Sequence, residues 1–169
     1  YAFELAGGES EIIHINELRK KEKSLKNYQI LVLPGGFSYG DDVAAGRILA
    51  LEFTSYLADQ IWEFKEKGGL ILGICNGFQV LVRTGLLPFG NLGEIKAVLD
   101  QNDSGHFECR WVNLKVEEKN ACVFLEGIGG VVSYQVAHGE GKFYAPKEVL
   151  QRIEDQKLVV FRYCDLLGK

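Results

Sequence analysis

The sequence predicts an α/β protein, a three-layer, mostly parallel open sheet with helices on both faces and an antiparallel edge. Three observations carry this expectation. Two apolar runs of strand length, Gln29-Ile30-Leu31-Val32-Leu33 and Leu70-Ile71-Leu72-Gly73-Ile74, are continuous rather than alternating, as in parallel strands covered on both faces. A long helical pattern separates them and a shorter one follows, giving the order β-α-β-α. Beyond His106 the chain turns to strand-like segments with one short helix, which supply the antiparallel edge.

Taken in order, Tyr1 to Ala6 has the pattern of the last turns of a helix, with Gly7 as its stop. Asn16 is placed to cap a short helix running to about Leu25. His14, inside a hydrophobic strand-like run, is assigned a structural role. Pro34-Gly35-Gly36 ends the first strand. Asp42 is the expected N-cap of one long helix, whose stripe is Leu49, Phe53, Tyr56, Leu57, Ile61 and Phe64. Gly68-Gly69 stops that helix, and Asn76 to Arg83 forms the next one directly behind the second strand. Thr84 to His106 is turn-rich and predicts no element. Strands are expected at Phe107 to Val116, Val131 to Val136 and Leu158 to Tyr163, with a helix around Lys147 to Glu154. No repeat or linker divides the chain, so residues 1–169 form a single domain.

The bulk properties fit a globular domain: 169 residues, 47% hydrophobic and 25% charged. A net charge of −4 and a pI near 5.5 argue against a general nucleic-acid or anionic-membrane binder. No apolar stretch approaches the ~18 residues of a membrane span. Cys75, Cys109, Cys122 and Cys164 contain no C-x-x-C pair, which argues against a zinc site or any other metal site and fits a reducing, cytoplasmic location. Cys109, Cys122 and Cys164 are expected to be buried small hydrophobes.

Cys75 differs because it stands in Gly73-Ile74-Cys75-Asn76-Gly77, where a strand becomes a helix. This is the nucleophile-elbow pattern G-x-Nu-x-G with cysteine as nucleophile. It pushes the thiol out at the carboxyl end of the sheet, where open α/β folds bind ligands. The helix behind it begins with free N–H groups and a partial positive charge. The N–H of Asn76 points where an oxyanion would form.

A second glycine-rich loop, "LPGGFSYGDD" (residues 33–42), ends the first strand. Gly35 and Gly40 have phosphate-loop spacing, but Asp41 and Asp42 replace the required Lys and Ser/Thr. In a parallel sheet this loop falls on the same edge as Cys75, so Gly36 is a candidate second oxyanion donor. His138, in Ala137-His138-Gly139-Glu140-Gly141, is a candidate general base for Cys75 or a polar group holding substrate. His106 is assigned a structural role.

Four segments in order, "LPGGFSYGDD", "GICNGFQVL", "FECRWVNL" and "VAHGEGKF", resemble the family of glutamine amidotransferase subunits of phosphoribosylformylglycinamidine synthase, over roughly Tyr28 to Tyr163. The resemblance implies a class I amidotransferase-like, flavodoxin-like fold and a cytoplasmic enzyme of purine biosynthesis. Cys75 would hydrolyse glutamine to glutamate and ammonia through a thioester, with Gly36 and Asn76 as oxyanion donors. It further implies that Gln79, His138, Gly139 and Glu140 contact the bound glutamine. Ammonia would pass to an ATP-dependent synthetase subunit, which Asp41 would face, with a small accessory subunit in the same complex. ATP and Mg would sit on the synthetase, and no cofactor on this subunit.

The family's first strand falls before Tyr1 and its late His-Pro-Glu turn after Lys169, and the chain holds no methionine. It is therefore expected to be an incomplete domain, with little activity by itself. Two alternatives stay open: a cysteine hydrolase of the protease or chaperone kind on a similar sheet, and a non-catalytic docking module.

Overall fold

A computed structural model describes residues 1–169 throughout. The element order is α1 (Ala2–Leu5), α2 (Ile15–Arg19), β1 (Ile30–Leu33), α3 (Arg47–Tyr56), α4 (Ala58–Glu66), β2 (Leu70–Gly73), α5 (Asn76–Thr84), β3 (Val98–Asp100), β4 (Glu108–Val116), β5 (Val131–His138), β6 (Lys142–Tyr144), α6 (Lys147–Asp155) and β7 (Phe161–Cys164).

The α/β class is borne out, and β1 and β2 pair in parallel with Ile30 opposite Leu70 and Leu33 opposite Gly73. Parallel neighbours need a long crossover, which α3 and α4 provide. Within residues 1–169 this is the only parallel pair. The antiparallel part is larger than the edge expected, since β3 pairs with β6 and a second sheet has the order β5-β4-β7. After α5 no α-helix intervenes between strands until α6, so the intervening strands have only shorter connections and fold back on one another.

Several local expectations change. The cap of α2 is His14, whose Nδ1 accepts from the Asn16 N–H at 3.1 Å. Glu17 answers by accepting from the His14 N–H at 2.8 Å, completing a capping box. That helix ends at Lys20 rather than near Leu25. The long helix is two helices broken at Leu57, whose φ of −113° and ψ of 3° leave the helical range. The break keeps the stripe working: Phe53, Leu57, Ile61 and Phe64 are all buried in the main core, beside Leu33 and Val80. Tyr56, on the predicted stripe, lies outside under the Arg19 guanidinium, 4.1 Å from its ring centre. Cys122 and Cys164 are half-buried, but Cys109 is exposed. At Cys109 the sheet is only two strands wide, because β7 pairs with β4 from Asn113 onward.

The contact that positions the rest is between α5 and the end of β1. A Cβ on Gly77 would lie 2.0 Å from the Leu33 carbonyl oxygen, so the first turn of α5 is seated directly on that strand. Helix propensity alone favours alanine over glycine by roughly 0.5–1 kcal/mol, yet here the clash dominates. Gly77→Ala is expected to lower stability by about 2 kcal/mol or more, read by urea unfolding. Gly129→Ala, at a site open on all sides, should stay within about 0.5 kcal/mol of the parent. Equal effects of the two would show that the α5–β1 contact is not tight.

Candidate active site

Cys75 lies between β2 and α5 with φ 53° and ψ −109°, a conformation costing a non-glycine residue on the order of 1–3 kcal/mol. The surrounding hydrogen bonds hold it there. Ile74 N–H donates to Leu33 O at 3.0 Å, Gly77 N–H to Ile74 O at 2.9 Å, and Gln79 N–H to Cys75 O at 3.1 Å. The thiol is exposed, as the elbow pattern predicts. The loop after β1 reaches it: a Cβ on Gly35 would lie 3.3 Å from the Cys75 Cβ. The N–H groups of Gly36 and Asn76, the residues that follow Gly35 and Cys75, make no hydrogen bond within the chain, and Gly36 takes a φ of 122° that favours glycine.

Behind the thiol a polar network runs through otherwise apolar surroundings. Buried Asn76 donates from Nδ2 to Asp41 Oδ1 at 2.9 Å and to Gln79 Oε1 at 3.1 Å. Its Oδ1 accepts from the Ser38 hydroxyl at 2.7 Å. Gln79 Nε2 then donates to the Glu140 carbonyl at 2.9 Å. The Glu140 carboxylate accepts from Arg83 at 2.7 Å and from the Ala45 N–H at 3.2 Å. Arg83 also donates to Ala45 O at 2.6 Å. Loop, elbow helix and the turn after β5 are thereby one connected unit.

Of the candidate site residues, Gly36 lies on the loop, Cys75, Asn76 and Gln79 on the elbow and its helix, and His138, Gly139 and Glu140 at the turn after β5. The Cys75 thiol lies 3.7 Å from the Ala137 carbonyl, its hydrogen-bond acceptor. No hydrogen bond joins His138 to the Cys75 thiol, and the His138 Nδ1 is engaged by Asn102 Oδ1 at 2.9 Å. Gly139 offers its carbonyl to the Asn102 N–H at 2.9 Å. Gln79 is buried with both ends of its amide engaged, so it joins the elbow helix to the turn. His106 contributes its backbone carbonyl to Asn102, in keeping with a structural role.

The aspartates exchange the roles expected of them. Asp41 does not face outward: it accepts from Asn76 and from the Gly46 N–H at 3.2 Å, at the entrance to α3. Asp42 caps nothing, since α3 begins after Gly46, a left-handed N-cap. The loop around them is tightly wound, with positive φ at Tyr39, Asp41 and Val43.

Two contributors were missed. Arg83 had a legible signal, since Asn76, Gln79 and Arg83 form a polar stripe at i, i+3, i+7 on a helix that also carries the buried Val80, Leu81 and Val82. Asn102, in a segment without periodicity, had none.

An exposed cysteine on a strand-to-helix elbow, with the loop after β1 packed against it, has the arrangement of a candidate cysteine-nucleophile site on an α/β sheet. Residues 1–169 match the CobB/CobQ-like glutamine amidotransferase domain, and the chain belongs to that family. It is 50% identical over 169 residues to "Phosphoribosylformylglycinamidine synthase subunit PurQ" of Dehalococcoides mccartyi, covering 100% of this chain and 64% of that protein. It is 44% identical over 170 residues to the protein of the same name from Methanococcus maripaludis, covering 99% of this chain and 62% of that protein. The chain thus spans a little under two thirds of these relatives. A chain of the solved "Structure of PurLQS from Thermotoga maritima" superposes with a TM-score of 0.67 at 37% identity, covering 87% of this chain and 61% of that one.

The Arg83–Glu140 pair is shielded, with side chains 20% and 26% exposed, so it is worth more than a surface pair. A double-mutant cycle of Arg83→Met and Glu140→Gln is expected to give a coupling energy of about 1–3 kcal/mol in chemical denaturation. Simple additivity would show that the pair contributes nothing.

Proposed function

We propose that this chain carries the glutaminase part of a phosphoribosylformylglycinamidine synthase. The observation that carries the proposal is the exposed Cys75 thiol on its strained elbow, flanked by the free Gly36 and Asn76 N–H groups. The thiolate attacks the side-chain amide carbon of glutamine, and the oxyanion rests on those two donors. The C–N bond breaks as the departing nitrogen takes up the proton that the thiol gave up, ammonia leaves, and a glutamyl thioester remains. Water then cleaves the thioester to glutamate and restores the thiol. His138, Gly139 and Glu140 line the far end of the substrate, and Gln79 ties their turn to the elbow.

The names of the relatives and the PurLQS assembly of the Thermotoga maritima chain support a synthetase subunit as the recipient of the ammonia. There formylglycinamide ribonucleotide becomes formylglycinamidine ribonucleotide. ATP and Mg bind the synthetase in this scheme, a small accessory subunit completes the complex, and the glutaminase itself needs no cofactor. The setting is purine biosynthesis in the cytoplasm.

In the full-length protein with its synthetase, Cys75→Ala is expected to lower glutamine-dependent synthesis by at least about 10³-fold, while synthesis from added ammonia continues. Glutamine-dependent turnover near the parent level in that variant would sink the proposal. Exposure alone does not separate Cys75 from Cys109. A glutamine-analogue electrophile should nevertheless label Cys75 and spare Cys109, with glutamine competing. Equal labelling of both thiols would indicate no glutamine site.

Within residues 1–169 the Cys75 thiol meets the Ala137 carbonyl, and no side-chain base is hydrogen-bonded to it. Ammonia release by this segment alone is therefore expected to be about 10²- to 10⁴-fold slower than by the full-length protein. Near-normal release, abolished by Cys75→Ala, would restore His138 as the base.

A further inference from the structure

We propose that Asn102 is a positioning residue that keeps a proton on His138 Nδ1, and thereby presents Nε2 as an acceptor for the α-ammonium group of glutamine. The proposal rests on the glutaminase function and on the place of His138 along the substrate.

The orientation of the Asn102 amide is set by three partners of fixed character. Its Nδ2 lies 2.8 Å from the His106 carbonyl and 2.8 Å from the His138 carbonyl, both acceptors only. Its Oδ1 lies 3.0 Å from the Gly141 N–H, a donor only. Turning the amide over would set N–H against N–H and oxygen against two oxygens, forfeiting three bonds. Oδ1 is therefore the atom facing His138 Nδ1, at 2.9 Å. An amide oxygen can only accept, so Nδ1 must carry the hydrogen. In a neutral imidazole the other nitrogen then holds the lone pair.

The ring cannot easily leave this partner. A Cβ on Gly141 would lie 2.1 Å from His138 Cε1 and 2.2 Å from Nδ1, so the Nδ1 edge of the ring fills the place a side chain at residue 141 would take. The Asn102 N–H holds Gly139 O at 2.9 Å, and Lys142 and Asp103 form an ion pair across the same two segments. The turn and the asparagine move as one piece.

The proton's position decides which end of an amino acid His138 can receive. A protonated Nε2 would donate, and would suit the α-carboxylate. An Nε2 lone pair accepts, and of the two α-substituents of glutamine only the ammonium donates. Asn102 reaches the substrate through the tautomer of another residue.

The test uses the full-length protein with its synthetase partner, comparing glutamine with its analogue lacking the α-amino group. Asn102→Ala is expected to raise KM for glutamine about tenfold or more, with kcat changed less than about threefold. The same substitution should scarcely alter KM for the analogue. An equal penalty on both substrates, or a fall in kcat with KM unchanged, would overturn the proposal and leave Asn102 a merely structural residue.

A second measurement needs no variant. Long-range ¹⁵N–¹H spectra of the histidine-labelled parent should show the neutral His138 ring protonated at Nδ1, and a proton on Nε2 would overturn the proposal. If instead Cys75→Ala retained glutaminase activity, the functional proposal would fail while the tautomer result stood.

Discussion

The seating of α5 on the end of β1 is the constraint on which the rest depends. With Gly77 against the Leu33 carbonyl, the chain has no room to ease from β2 into the helix and must turn at one residue. That residue is Cys75, forced to positive φ and outward into solvent. The same turn leaves the Asn76 N–H without an intrahelical partner, because the first donors of any helix lack one. Strain, exposure and a free donor are thus three consequences of one close approach. Because β1 and β2 are parallel neighbours, the loop after β1 has to end beside the same thiol.

Around this point the protein places its polar side chains in an apolar interior only where they are paired. Asn76 and Gln79 are both buried, and leaving such an amide unpaired would cost about 1–3 kcal/mol per group. Each end of both amides has a partner, which makes the network stiff. The turn from His138 to Gly141 is consequently held from two sides. Gln79 and Arg83 grip Glu140 from the elbow helix, and Asn102 grips His138, Gly139 and Gly141 from the segment before β4. A site that must hold a small substrate against a strained nucleophile gains from such rigidity, since misplacement by even about 1 Å is expensive in rate.

Much of this was legible from pattern. Continuous apolar runs located β1 and β2, three- and four-residue spacing located the buried stripe through Phe53, Ile61 and Phe64, and the paired glycines located the elbow. The misplaced features share a cause. Asp42, Asn16 and Cys109 were each assigned from the preference of a residue type at a local position. The outcome depended on competitors nearby or on distant chain: Asp41 on Asn76, His14 on Glu17 three residues further along, and Cys109 on how far β7 extends. Strands β3 and β6, three residues each, are too short to carry a period and form only because each has the other.

By itself the sequence determined the α/β class, the elbow, and the candidate residues from Gly36 to Glu140, because these follow from short-range periodicity and from glycine at tight turns. Tertiary structure alone decided what those residues do to one another. It turned Asp41 inward, engaged both ends of Gln79, paired Glu140 with Arg83, and set His138 against Asn102 rather than Cys75. Hydrogen bonds are directional and span residues tens of positions apart, so their partners are chosen only once the strands have brought those positions together.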